Sequence, residues 1–381
     1  MKKQKICIIG DGLAGLSAAT ILSKENIKID LYIGNIKKIK LKNDNRTTAI
    51  SESSYQFIRE KLDIINKNIF WPGKEINLFF EDRKIIKSFL NFKEKKKNLL
   101  YIFNNNELKK QLNFKISKRK NIKVIKKNIT DIDPKNGAIL INKTRLTYDL
   151  IILSTGGYSK IYNKITHGRS IEKDYKEMAI TTIVNHKSKI NKVSQFFLKE
   201  GPLAILPSSN STFSVVWSVS NLFFKKNKSI EKILINKIKI LLNKIKITKV
   251  EKIQSFPINL NLKTKYFKNN ILILGDGLHA VHPMAGQGFN LVLRDIKKLN
   301  ELMSKTLKLG LLFKNSFLLE EFSQARKSEN IILGLGINLT NIFFKNNKFF
   351  APMKKIMLNN INNFKFIKTI SQQISDKGIF N

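Results

Sequence analysis

The chain reads as an α/β protein of Rossmann-like build with an inserted sheet, on three observations. An apolar run, Ile6-Cys7-Ile8-Ile9, leads into Gly10-Asp11-Gly12-Leu13-Ala14-Gly15 and then into Leu16, Ala19, Ile21 and Leu22 at helical spacing. A second strand, loop and helix of the same kind follows near residue 280, where Ile271-Leu272-Ile273-Leu274 precedes a glycine-rich loop, and Val292, Ile296, Leu299 and Met303 then recur as a helix face. Between the two, from about 171 to 269, short apolar runs bounded by turn residues read as a layer of strands.

The totals fit this reading. A chain of 381 residues with 42% hydrophobic content has enough material for a sizeable core. The single cysteine, Cys7, lies in an apolar strand, so there is no disulfide framework, and a reducing cytoplasm is the expected compartment. The formal charge of +42 is extreme, but its lysines are spread along the whole chain and form no focused patch. No nucleic-acid-reading motif accompanies it, so no nucleic-acid partner is expected. Attraction to an anionic membrane surface suits the same charge.

In chain order, the glycines of Gly10-x-Gly12-x-x-Gly15 make a tight turn, admit a pyrophosphate to the backbone and let the helix pack close to the strand. A second strand at Ile29 to Ile33 ends in Gly34-Asn35, where the dinucleotide fingerprint has an acid. Asp44-Asn45-Arg46-Thr47-Thr48-Ala49-Ile50-Ser51 follows. An arginine there suits a pyrophosphate by planar, charge-assisted hydrogen bonds, or is one more surface cation of a basic chain. Residues 70–100 alternate in short strands, and Tyr148 to Leu153 is a buried strand leading into Ser154-Thr155-Gly156-Gly157-Tyr158-Ser159. Gly201 to Pro207 and Phe213 to Trp217 read as a hairpin-like pair. The tail from about 305 reads helical, with Phe343-Phe344, Phe349-Phe350 and Phe364 to Phe366 among lysines. No apolar run there reaches the ~20 residues a membrane span needs. Such a tail suits a helical layer packed on the protein, an interfacial helix, or both.

The stretch Gly275-Asp276-Gly277-Leu278-His279-Ala280-Val281-His282-Pro283-Met284-Ala285-Gly286-Gln287-Gly288-Phe289-Asn290, continuing to Arg294-Asp295, carries the chemistry. Glycines at 286 and 288 let backbone approach a flat ligand, and the helix beginning near Asn290 aims free N–H groups and its positive end at it. A planar ring that becomes anionic on reduction suits that place, so a flavin is expected there. His279 and His282 are not an adequate metal set, and no metal site is expected.

These residues resemble the second FAD motif of the class A flavoprotein monooxygenases, and more narrowly the aromatic-ring hydroxylases of ubiquinone biosynthesis, of the 2-octaprenyl-phenol hydroxylase type. The Arg46 segment, the Gly156 turn and Gly201 to Pro207 resemble the same family in the same order. The resemblance implies a p-hydroxybenzoate hydroxylase-like fold: an FAD-binding domain from 1–75, 100–170 and 270–330, a substrate domain from 76–99 and 171–269, and a C-terminal helical region at 331–381. It implies that Gly10, Gly12, Gly15 and Arg46 hold the ADP part of FAD, that Gly156 lies by the pyrophosphate, and that Asp276 takes a ribityl or ribose hydroxyl. Gly286, Gln287, Gly288 and Asn290 would lie at the flavin ring, and Pro283, with Gly286 and Gly288, beside the reacting oxygen. The implied reaction is ring hydroxylation of a polyprenyl-phenol by O2 through a flavin hydroperoxide, with NAD(P)H as the reductant, by a cytoplasmic protein held peripherally at the inner membrane and open to a complex of ubiquinone-pathway enzymes. Thr155 stands where the family has an aspartate, and Gln195-Phe196-Phe197 where it often has Glu-Arg-Phe, so no catalytic role is assigned to the latter segment. The alternatives are a prenyl-lipid flavin reductase and a catalytically idle membrane or complex subunit retaining the fold.

Overall fold

Apolar runs buried on both faces make a parallel sheet. In the computed structural model, which describes residues 3–34, 44, 46–62, 66–94, 97–142, 144–157, 159–243, 245–345 and 372–379, four such runs lie side by side with a fifth, largely exposed strand at one edge. Their order is Ile271–Ile273, Leu150–Leu153, Gln4–Ile9, Ile27–Tyr32 and Ile122–Ile125, all parallel, with the short antiparallel strand Phe267–Lys268 at one edge. Every residue of Leu150–Leu153 and Ile271–Ile273 is buried. The helices Leu13–Leu22, Asn105–Ser117 and Gly288–Lys308 contribute to the same core. Cys7 is fully buried in it, and burial pushes its thiol well above the usual range.

The second layer is a large, mostly antiparallel sheet. Its strands run His279–Ala280, Gln254–Lys263, Ser170–His186, Thr212–Ser220, Gly201–Pro207, Val193–Leu198, Glu75–Asp82 and Ile85–Lys93, with Ile247–Val250 pairing off the path on Ser170–His186. Only Val193–Leu198 against Glu75–Asp82 is parallel. The period of two divides its residues cleanly. Ile180, Trp217, Leu203 and Phe196 are cross-strand neighbours on one face, all buried, under the helix Ile230–Leu241 and its buried Leu234 and Ile238. The opposite face looks onto a cavity. The strand-rich layer expected over 171–269 also carries two helices, Asn221–Lys226 and Ile230–Leu241, which the sequence reading does not single out. Apolar residues at 230, 233, 234, 238 and 241 carry the helical spacing that a strand reading passes over.

A small antiparallel sheet, Thr47–Ser51, Leu100–Asn104 and Trp71–Gly73, joins the layers. The helix Leu318–Phe344 runs unbroken through residue 331, so no break in the chain marks the region boundary expected there. The positions Asn35, Tyr158, Phe349-Phe350 and Phe364 to Phe366 lie outside the described residues.

Candidate FAD and substrate site

A cavity of about 2030 Å³ opens between the parallel sheet and the second layer. Two helix N-termini meet at it. Leu13–Leu22 begins after Gly12 and Gly288–Lys308 after Gln287, and neither has a side-chain cap or an acid in its first turn. Uncapped N–H groups with the helix dipole behind them attract an anion or an electron-rich edge.

The three glycines of the first loop do different work. Gly10 has φ 133°, and a Cβ there or at Gly15 would overlap backbone oxygens of Ser154 or Gly10, so these two serve close packing of helix on strand. Gly12 faces the cavity, and a Cβ there would meet nothing within 4 Å. Gly156 is likewise open to the cavity. Across it, Gly286 has φ 62° and its missing Cβ would stand 3.0 Å from that of Ala49, so this loop lies tight against the strand Thr47–Ser51. The helix starts at Gly288, two residues before Asn290. Asn290 is 2% exposed and pins this junction: its Oδ1 accepts from the Ser51 amide at 2.9 Å, and its Nδ2 donates to the Gly286 carbonyl at 3.2 Å.

Arg46, Asp276, Pro283, Gln287 and Gly288 also line the cavity. Arg46 donates from Nε and Nη2 to Asp44 at 2.8 and 2.7 Å and lies 5.0 Å over the Phe256 ring. The hydrogen bonds to Asp44 raise its already high pKa, leaving it a fixed cation. Asp276 opens onto the cavity yet is walled by protein. Desolvation pushes its carboxyl above the usual range, against the opposing pull of His279 and Arg46. Thr155 also lines the cavity, but its amide and Oγ1 are both taken up as donors to the Tyr162 hydroxyl, at 3.0 and 2.9 Å, and burial pushes that phenol up to about 12.

Beneath the glycine loop lies a buried charged layer that local reading missed. His279 Nε2 is 2.6 Å from Asp295, which accepts from Arg326 Nε at 2.7 Å; Arg326 also pairs with Glu329 and donates to Asn330 at 2.9 Å. Burial works against the Asp295 charge, but His279 and Arg326 hold its carboxyl below the ordinary range. His282 Nε2 lies 3.1 Å from Glu177 of the second layer, and its Nδ1 accepts from the Met284 amide at 3.2 Å, which leaves Nε2–H to donate. The other Glu177 oxygen pairs with Lys345. Burial again opposes the charge, and His282 and Lys345 lower the Glu177 pKa. Both histidines are thus committed to carboxylates. Among the described residues, no group of three or more His, Cys, Asp and Glu is placed to hold a metal. The segment 372–379 closes one wall. Arg294 donates to the carbonyls of Ile374, Ser375 and Asp376 at 3.4, 3.0 and 3.2 Å, and Asp376 Oδ1 accepts from the Ser53 amide at 2.8 Å, capping the helix Glu52–Leu62 from afar.

The open faces of Gly12 and Gly156, two uncapped helix starts, a fixed cation and a hydroxyl-accepting carboxylate fit a dinucleotide carrying a flat ring. Residues 143–310 match the FAD binding domain family. The chain is an FAD-binding flavoprotein. This flavoprotein is 25% identical to the ubiquinone biosynthesis monooxygenase COQ6, mitochondrial, of Dictyostelium discoideum, over 96% of its own length and 89% of that protein. It is 29% identical to the ubiquinone hydroxylase UbiL of Rhodospirillum rubrum and 26% identical to the 3-demethoxyubiquinol 3-hydroxylase of Escherichia coli strain K12. These two matches span 38% and 40% of those proteins and 42% and 40% of this chain. Its fold is that of p-nitrophenol 4-monooxygenase PnpA from Pseudomonas putida, with TM-score 0.77 at 13% identity over 99% of each chain. PqsL, a probable FAD-dependent monooxygenase from Pseudomonas aeruginosa, aligns with TM-score 0.73 over 92% of this chain and 99% of its own.

Proposed function

We propose that this flavoprotein is an FAD-dependent monooxygenase that hydroxylates the aromatic ring of a polyprenyl-phenol intermediate of ubiquinone biosynthesis, using O2 and NAD(P)H. The observation that carries the reading is that one cavity joins the two helix N-termini to a largely apolar sheet face, so an electron-rich ring and the redox group would share a single chamber. Gly12, Gly156 and Arg46 would hold the ADP and pyrophosphate portion, Asp276 a sugar hydroxyl, and the N–H groups from Gln287 to Asn290 the electron-accepting edge of the ring. Bound FAD would supply the redox chemistry of the hydroxylation, with a nicotinamide as the source of electrons and O2 as the source of the oxygen atom. The chain's own residues position and dry that site. Asn290 and Ser51 fix the loop, the His279–Asp295 and His282–Glu177 pairs brace it from below, and Pro283, Gly286 and Gly288 would border the reacting oxygen. The charge of +42 supports attachment to an anionic membrane surface, and a complex with other ubiquinone-pathway enzymes belongs to the same proposal.

The test is mass spectrometry of quinone lipids from a bacterium stripped of its own ring hydroxylases and supplied with this gene. An intermediate carrying one added oxygen is the expected product, and its ring position gives the regiochemistry. Accumulation of the starting phenol alone, with soluble FAD-loaded protein present, rejects the reading. Reduction of the lipid without oxygen incorporation would identify a reductase instead.

A further inference from the structure

The cavity face of the second layer contains a row of directly paired residues drawn from six strands. Thr181 pairs across the strands with Val216, Val216 with Ala204, Ala204 with Gln195, Gln195 with Leu78, and Leu78 with Leu90. Directly opposed residues share a face, and all six line the cavity. The row is ordered by chemistry: a hydroxyl, two small or branched aliphatics, a carboxamide, two leucines. The adjacent row, with Ile180, Trp217, Leu203 and Phe196, is wholly apolar, as the buried face requires. Against that pattern, Thr181 and Gln195 are out of place unless something polar meets them. Gln195 is 9% exposed and has no hydrogen-bond partner for its carboxamide among the described residues. The Thr181 Oγ1 is buried and has no partner either. The Thr181 hydroxyl, cut off from solvent and from any partner, costs free energy as it stands, while the Gln195 carboxamide opens onto the cavity with no protein group to meet it. A change of χ1 exchanges Oγ1 with the methyl and presents the hydroxyl to the cavity.

We propose that this row is the floor on which the aromatic head of the substrate lies, with Gln195 and Thr181 as substrate-binding residues for its oxygen substituents and Ala204 with Val216 as the berth of the ring. Neighbouring strands stand roughly 4.8 Å apart, so the two central residues give a width on the order of 10 Å, the span of a substituted ring. Leu78 and Leu90, backed by Phe89 and Phe197, continue the floor in an apolar direction suited to a prenyl tail. Pro283 and the glycine loop line the same cavity, so a ring on this floor faces the loop. The inference rests on the hydroxylase reading and names which atoms of this chain select its substrate.

The experiment uses the full FAD-loaded chain and a phenol bearing a two-isoprene tail. Binding is followed by the perturbation of the flavin spectrum, and turnover by hydroxylated product and hydrogen peroxide measured together. Thr181→Val and Gln195→Leu should each weaken phenol binding about tenfold, the value of one neutral hydrogen bond in a closed site. FAD affinity should be unchanged and the share of oxygen released as peroxide should rise. Thr181→Ser should restore the wild-type values. An analogue with the phenol oxygen replaced by a methyl group should bind wild type and one of the two polar variants alike, which identifies the residue that meets the oxygen. Ala204→Leu should exclude the phenol while FAD is retained. If wild type hydroxylates the phenol and these variants match it in binding and coupling, the floor is elsewhere and this inference falls alone. If wild type holds FAD but neither binds nor hydroxylates any prenylated phenol, the hydroxylase reading falls and the inference with it.

Discussion

Asp276 shows how much a single side chain reveals about an absent partner. Its folded-state pKa is raised by desolvation, so folding favours the neutral acid. Its charge then costs stability, a cost that sets in as pH climbs past the ordinary carboxylate value of about 4 toward the raised one. Because the Asp276 side chain is exposed to the cavity, solvent screens most of this cost, and the FAD-free Asp276→Asn protein should melt only slightly higher than FAD-free wild type at pH 7, with the gap closing below roughly pH 4, where the wild-type carboxyl is neutral in both states. If Asp276 accepts a sugar hydroxyl, the same variant should bind FAD about tenfold more weakly, the loss of one charge-assisted hydrogen bond. Thermal unfolding across pH and a flavin fluorescence titration read the two effects separately; a variant that melts lower at every pH would contradict the account. This residue was legible in the sequence because the loop that places it is continuous. Glu177 was not: it meets His282 across 105 positions, and nothing local to either residue signals the pair.

At the scale of the element, the first strand–loop–helix unit holds, within six residues, glycines that packing requires and one that it does not. Gly15→Ala drives a methyl into the Gly10 carbonyl and the Ser154 hydroxyl, both close in the folded chain. It should cost on the order of 1–3 kcal/mol, as overpacking does, and lower the melting temperature of the FAD-free protein. Gly12→Ala meets no protein atom, so the FAD-free protein should melt as wild type does while FAD retention through purification falls sharply. Equal destabilisation by both would mean that Gly12 serves the turn and not a ligand. The glycine pattern was visible in the sequence, but its division of labour was not, because spacing does not tell which Cβ would strike protein. The helix Ile230–Leu241 was not singled out for another reason: its apolar stripe is interleaved with lysines and lies within a strand-rich stretch.

Over the whole molecule, the cationic charge and the cavity are separable features. The charge is spread along the chain, and among the described residues no helix is long and apolar enough to cross a membrane. The proposed attachment to a bilayer, if driven by this charge, acts over a Debye length of about 8 Å at physiological salt. Co-sedimentation with vesicles containing anionic lipid should be strong at low salt and fall steeply as salt is raised. Equal binding to neutral vesicles would point to apolar insertion instead. The order of strands was only partly open to sequence reading. Each run could be recognised, yet the parallel pairing of Val193–Leu198 with Glu75–Asp82 joins segments more than a hundred residues apart and depends on tertiary packing. The closing of the cavity by 372–379 was equally hidden, since Arg294 and Asp376 meet only in the folded chain.

The alternation along Val193–Leu198 has an evolutionary consequence. Gln195 looks into the chamber and Phe196 into the helix-covered core, so neighbouring letters of one strand write to two different readers. A point substitution at 195 edits what the chamber accepts and leaves the core untouched. An inserted or deleted residue within the strand exchanges the two messages, placing an aromatic ring where the carboxamide stood and a polar group in the core. Divergence toward new aromatic substrates is therefore open to this sheet by substitution at alternate positions and closed to it by changes of strand length, which the lineage must confine to its turns.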